Sequence, residues 1–275
     1  MNAKRIRQLA ALLLAAATVA CAQTAFAKED PKARLAKAEA MFAERCKKAG
    51  VFIYRTAENV EGILLMKIRS DATNYDQQYE LDDPYGHDVG GKGYIGDFLK
   101  GRDGKGSVAD GGSASKGYRY VEAIDPNDGK RYRYTGSMKV IGQKNRNAPN
   151  VRRALEANPN FDLNKYAYTI DKVPAPGPAP RYGVTYDDIS TRQDRDYWIA
   201  GSSLRVIDLQ TNEVMAERIG YMMDRAQGNT SGGRAPWLLA ANRACPAFPV
   251  AAGGAFQLGQ TREFVESVLK IRQEK

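Results

Sequence analysis

The sequence predicts an α+β fold, a mainly antiparallel β-sheet with N- and C-terminal helices packed on it. Three observations carry this. Tyr197 to Asp224 reads YWIAGSSLRVIDLQTNEVMAERIGYMMD, two long β-branched, aromatic and apolar runs around Gln210-Thr211-Asn212. Tyr118 to Ile124 and Lys130 to Val140 flank Asp125-Pro126-Asn127-Asp128-Gly129, a strong turn sequence. Apolar residues recur at helical spacing after Asp30-Pro31 and again after Thr261.

The chain opens with Lys4, Arg5 and Arg7, an apolar run from Leu9 to about Val19, and small residues leading to Ala25-Phe26-Ala27. This is the tripartite pattern of a secretory signal peptide over residues 1–27, with the mature chain expected to begin at Lys28. The apolar run is too short for an ordinary membrane-spanning helix. No other long apolar run follows, so the mature chain is expected to be soluble, without a transmembrane segment, and periplasmic or secreted. Ala20-Cys21 also resembles the end of a lipoprotein signal, with Cys21 bearing the lipid. Thr18 stands where that pattern carries leucine, and the later A-x-A site is the more complete signal.

The formal charge is +9. Cleavage after Ala27 removes three positive charges and no negative ones, which leaves +6. A modest positive charge favours solubility, and it also draws a protein to anionic lipids, acidic polymers or acidic proteins. Nucleic acid is not expected as the partner of an exported protein. Residues 28–275 suit a single domain with enough chain for a real core. Cys46 and Cys245 are the cysteines left after cleavage, and in an oxidising compartment their disulfide is the default reading.

Asp30 and Pro31 open the first helix as N-cap and first helical residue. Leu35, Ala38, Phe42, Cys46 and Ala49 form its apolar stripe, and Gly50 is expected to cap its end. Val51 to Thr56 and Ile63 to Arg69 read as two strands, with a turn around Glu58-Asn59. Residues 70–117 are rich in glycine, aspartate, serine and tyrosine and read as a partly mobile excursion with a short ordered piece at Tyr94 to Leu99. Asn150 to Ala157 reads as a short helix stopped by Asn158-Pro159, and Tyr166 to Val173 as a strand. Pro174, Pro176, Pro178 and Pro180 make a stiff connector, read as a surface loop rather than a domain boundary.

Tyr182 to Tyr186 reads as a strand before the long hairpin. In that hairpin a three-residue loop ending on a left-handed Asn212 sets Leu209 opposite Glu213 and Arg205 opposite Glu217. Met215 then falls on the face of Ile199, Ile219 and Tyr221. Gln227 to Arg234 is glycine-rich and read as mobile. Pro236 opens a short helix, and Thr261 is expected to cap the last one, whose apolar face is Phe264, Val265, Val268 and Leu269.

The chemistry-bearing motifs are sparse. His87 is the only histidine. It sits in an acidic loop, Asp82 to Asp88, whose spacing matches no metal motif. No G-x-S-x-G elbow is present. Ser113 to Lys116 fits S-x-x-K without its companion motifs. No glycine-rich phosphate loop and no C-x-x-C occur, so neither cofactor nor metal is expected. Asp187, Asp188, Asp194 and Asp196 cluster in sequence, and paired carboxylates run glycoside hydrolysis without histidine.

The most suggestive surface is the second hairpin. Tyr118, Arg119 and Tyr120 face Arg131, Tyr132, Arg133 and Tyr134 across the turn, and alternation puts tyrosines on one face and arginines on the other. The functional reading is a binding face for an acidic partner. The plainer reading is a half-buried sheet with tyrosine inside and arginine in water. The sequence therefore points to an exported, non-catalytic binding or accessory protein whose partner is another envelope protein or an anionic envelope surface. The rival is a carboxylate-based hydrolase of cell-envelope polymer.

Overall fold

The computed structural model describes residues 29–71, 76–83, 88–100, 117–247 and 258–272. The segment expected to be a signal peptide, with Cys21, and also His87 and the Ser113 to Lys116 motif lie outside the described residues.

The chain runs through α1 (Pro31–Cys46), β1 (Gly50–Ile53), β2 (Ala57–Val60), β3 (Gly62–Leu65) and α2 (Gly91–Lys100). It continues with β4 (Tyr120–Ile124), β5 (Arg131–Gln143), α3 (Pro149–Ala157), β6 (Asn164–Pro174), β7 (Tyr182–Asp188) and α4 (Arg192–Asp196). It ends with β8 (Ile199–Asp208), β9 (Glu213–Met223), α5 (Pro236–Ala240), β10 (Ala244–Cys245), α6 (Gln260–Val268) and β11 (Leu269–Ile271).

The fold is α+β, as expected, and its sheet is mixed but mostly antiparallel. One sheet has the order β1-β9-β8-β7-β3-β4-β5-β6, with β10 also on β9, and β11 pairs with β2 in a small second sheet. Strands from both sides of the proline-rich connector interleave, since β3 pairs with β7 and β1 with β9. The parallel element is β3, which runs alongside both β4 and β7. Ile63, Leu64 and Leu65 are all buried, the unbroken apolar run that a strand covered on both faces requires.

A parallel β3–β4 pair also needs a long crossover, which accounts for much of the 70–117 excursion. The expected piece at Tyr94 to Leu99 is part of α2, whose Tyr94, Ile95, Phe98 and Leu99 pack into the main core with Phe264, Val265 and Val268 of α6. The opposite face, at β8 and β9, is covered by α1 through Ala38 and Phe42 against Ile199, Tyr221 and Met223.

Several local expectations are corrected. Glu58-Asn59 is not a turn between two strands but part of a third, β2, which runs parallel to β11, while β1 is an outer strand on β9. Asn59, with φ 57, sits inside β2. Gly50 starts β1, and α1 ends at Lys47 in a right-handed conformation. The N-cap is as expected, with the Asp30 carboxylate accepting from Ala33 N at 2.9 Å.

The long hairpin closes through four residues, Leu209 to Asn212, because Asp208 rather than Leu209 lies opposite Glu213. Asn212 is left-handed, with φ 58. A β-bulge at Met215 restores the alignment, so Arg205 does lie opposite Glu217. The bulge turns Met215 into the main core instead of towards Ile199, and its carbonyl accepts Tyr54 N at 2.9 Å and Arg55 N at 3.1 Å. The Gln227 to Arg234 loop is wound around buried Asp224, which accepts from Gly228 N at 2.8 Å and pairs with Arg234. Thr261 lies in the first turn of α6 rather than at its cap, and the cap is a carboxylate from elsewhere in the chain.

Candidate functional site

The β4–β5 hairpin forms around its expected turn, in which Asp125 Oδ1 accepts from Asn127 N at 2.9 Å and Gly129 has φ 68. Its register sets Val121 opposite Tyr134 and Glu122 opposite Arg133. Alternation then gives Tyr132 and Tyr134 the face of Val121 and Ala123, and these four contribute to the main core. Tyr118 precedes the strand and is buried, with its hydroxyl donating to Leu269 O at 2.8 Å. Tyr120 does not join the other tyrosines: its position in the register places it on the arginine face.

That face is organised by Glu122, which is fully buried. Arg133 donates from Nε and Nη2 to Glu122 Oε1 at 2.9 and 2.8 Å, and Arg131 Nε lies 3.0 Å from Oε2. The Arg133 guanidinium stacks over the Tyr120 ring at 4.0 Å. Beneath the ring is Gly62, where a Cβ would come within 2.3 Å of the ring carbons. Arg131 also donates to Gly177 O, which ties the proline-rich connector to the sheet. Of the residues singled out from sequence, the structure brings Tyr120, Arg131 and Arg133 together and leaves Arg119 exposed. It takes Tyr118 and Tyr134 into the core and packs half-buried Tyr132 against it. Sequence reasoning missed Glu122, although an acid on β4 directly across from an arginine of the facing strand is a legible signal.

The four aspartates that suggested a hydrolase are divided among separate ion pairs. Asp187 pairs with Lys67 and Arg205, so Arg205 turns to Asp187 rather than to Glu217. Asp188 pairs with Arg195. Asp194 is buried, completes a capping box with Thr191 at the start of α4, and receives Arg45 Nε at 3.0 Å. Asp196 accepts from Tyr79 and lies 3.6 Å from Arg192. Asp187 and Asp194 tie separate segments together through these pairs, whereas Asp196 pairs with Arg192 inside α4.

The acidic loop is also used structurally. Arg69, buried, pairs with Asp83, whose side chain is also buried, and stacks on Tyr186 at 4.9 Å. Burial opposes the Arg69 cation, but Asp83 and Asp88 outweigh it and raise its pKa. Burial likewise pushes the hydroxyls of Tyr94 and Tyr186 up. Asp88 supplies the cap of α6: Gly259 N donates to Oδ1 at 2.8 Å, and Thr261 N donates to Oδ2 at 2.9 Å. A carboxylate at a helix N-terminus satisfies free N–H groups and meets the positive end of the helix dipole. Among the described residues, no group of three or more His, Cys, Asp or Glu is placed to hold a metal ion.

The least satisfied surface is the outer edge of the sheet. Val51, Phe52, Ile53 and Tyr54 are consecutive, and all four are exposed, Tyr54 by 66%. Tyr54 N donates to Met215 O, so Phe52 and Tyr54 turn their backbone groups inward to β9 and Val51 and Ile53 turn theirs outward. A shallow hollow lined by Tyr54, Arg55, Glu213 and Val214 continues this edge. The Cys46–Cys245 disulfide stands beside it, joining the end of α1 to β10 with Cα atoms 5.6 Å apart. Among the described residues, no helix is long and apolar enough to cross a membrane. Comparison with family models, curated proteins and solved structures finds no match to this chain.

Proposed function

We propose that this chain is an exported binding or accessory protein that acts without catalysis, and that its partner adds an extended segment along β1. The observation that carries the reading is the run of four exposed apolar and aromatic residues on a strand whose outer N–H and C=O groups have no neighbouring strand among the described residues. Such an edge invites pairing, and proteins that do not use one normally protect it with charge or proline. Strand addition draws affinity from main-chain hydrogen bonds and specificity from alternate side chains. The ion pairs of Asp187, Asp188, Asp194 and Asp196 support the same reading, since the carboxylates of the rival hydrolase have structural work.

The test is affinity capture from an envelope extract with the mature chain and two variants. Val51→Pro deletes an outward N–H that the β1–β9 ladder does not use, and Phe52→Asp places a charge on the edge. Both variants should lose the captured partner while keeping the wild-type melting temperature. Equal capture by wild type and both variants would show that the partner sits elsewhere.

A further inference from the structure

A second surface lies at the far side of the sheet. Strand β5 pairs with β4 only through residues 131–134, whereas its pairing with β6 continues to Gln143. Residues 135–143 and their β6 partners therefore extend beyond β4 as a two-stranded ribbon, with α3 in the connection at its end. The base of the ribbon rests on α2, where Ile170 packs against Gly96 and Lys100 lies over the Tyr168 ring at 5.2 Å. Further out the ribbon has exposed aliphatic side chains. Val140 is 55% exposed and Ile141 is 62% exposed. Ile141 is the unpaired residue of a bulge between Val140 and Gly142, which aims an aliphatic side chain away from the ladder.

The charge of this region is one-sided. Residues 135–170 hold six lysines and arginines against two acids, a net of +4 within a chain whose total is +9. Elsewhere Arg131, Arg133, Arg181, Arg205 and Arg234 are each held by a carboxylate. Arg146, Arg152, Arg153 and Lys165 form no ion pair among the described residues. Unmatched cations in the same stretch of chain as exposed aliphatic side chains, with Lys165 opposite Gly142 beside Ile141, fit a surface that is anionic outside and apolar just beneath.

We propose that the β5–β6 ribbon docks this protein on an anionic phospholipid bilayer, with Val140 and Ile141 entering the headgroup boundary and the four unpaired cations facing lipid phosphates. A bilayer suits this arrangement better than an acidic protein. Its charges are mobile and meet cations spread over a ribbon end and a helix, whereas a protein groove needs carboxylates at fixed places. Basic side chains near an anionic leaflet and aliphatic side chains at its boundary contribute independently. The inference does not rest on β1.

The experiment is flotation of the mature chain with vesicles of phosphatidylcholine alone and of phosphatidylcholine mixed with phosphatidylglycerol. The protein should float only with the anionic vesicles, and added salt should release it. Arg152→Glu/Arg153→Glu should weaken binding by about tenfold or more, and Ile141→Ser should weaken it further, both at an unchanged melting temperature. Phe52→Asp should float like wild type, which separates this surface from the edge strand. Failure of the wild type to float with anionic vesicles at low salt would overturn the proposal. Flotation of the charge-reversed variant at the wild-type level would overturn it too, as would equal displacement by soluble polyglutamate at matched charge.

Discussion

Reduction of Cys46–Cys245 should destabilise the whole molecule rather than loosen one end. The two cysteines are 199 residues apart. On the chain-entropy model, a crosslink closing a loop of that length restrains the unfolded chain by about 5 kcal/mol at 25 °C, an upper figure because measured values usually fall short. The native contacts argue for a global effect. Cys46 ends the helix that covers Ile199, Tyr221 and Met223, and Cys245 sits opposite Tyr221 on β9, so the bond joins two elements laid on the same strand. For a chain of this size about 1 kcal/mol moves the midpoint by about 2–4 °C. Cys46→Ser/Cys245→Ser and the reduced wild type should therefore both melt about 10 °C or more below the oxidised protein, in one transition followed by circular dichroism. Identical midpoints for oxidised and reduced protein would refute the reasoning, as would free thiols at both Cys46 and Cys245 in the denatured, unreduced protein. A first transition confined to residues after Pro180 would show that the proline-rich segment separates two units.

Two further substitutions probe the charged face and the hairpin end. Glu122→Gln leaves Arg131 and Arg133 without their buried counter-charge, and the cost should be about 3 kcal/mol in urea unfolding, at the low end for buried pairs because both arginines are partly exposed; a change below about 0.5 kcal/mol would show that water already screens the cluster. The Asp208 carboxyl is held below the ordinary range first by Arg181, against its own burial, with Gln210 N and Arg55 assisting. A depressed folded-state value means that this contribution is complete above the unfolded value near pH 4 and is lost as pH falls through the folded one. Asp208→Asn should therefore be less stable than wild type at neutral pH, with the gap closing in acid, and a gap that is constant from neutral pH to about pH 2 would refute the ion-pair account.

What the sequence determined by itself was what neighbours in the chain can settle. Asp30-Pro31 opens α1, Asp125 to Gly129 closes the β4–β5 hairpin, Asn212 adopts the left-handed conformation, and Asn158-Pro159 stops α3, because caps and turns act over a few residues. The α+β class followed from two hairpins and two amphipathic ends. The pairing of Cys46 with Cys245 was legible by counting.

Tertiary structure decided everything that depends on residues far apart in sequence. Nothing local says that Ile63 to Leu65 will run parallel to both β4 and β7, since that pairing is set by a crossover and a shared core. The bulge at Met215 is invisible in β9 alone, because its carbonyl is used by Tyr54 and Arg55 of another segment. Asp88 reads as loop acidity until α6 arrives some 171 residues later and takes it as a cap. The tyrosine–arginine hairpin shows the same limit. Its alternation was readable, but the burial of Glu122 between Arg131 and Arg133 depends on which face the sheet leaves open. A side chain's charge is written in the sequence, whereas the partner that neutralises it is chosen by packing.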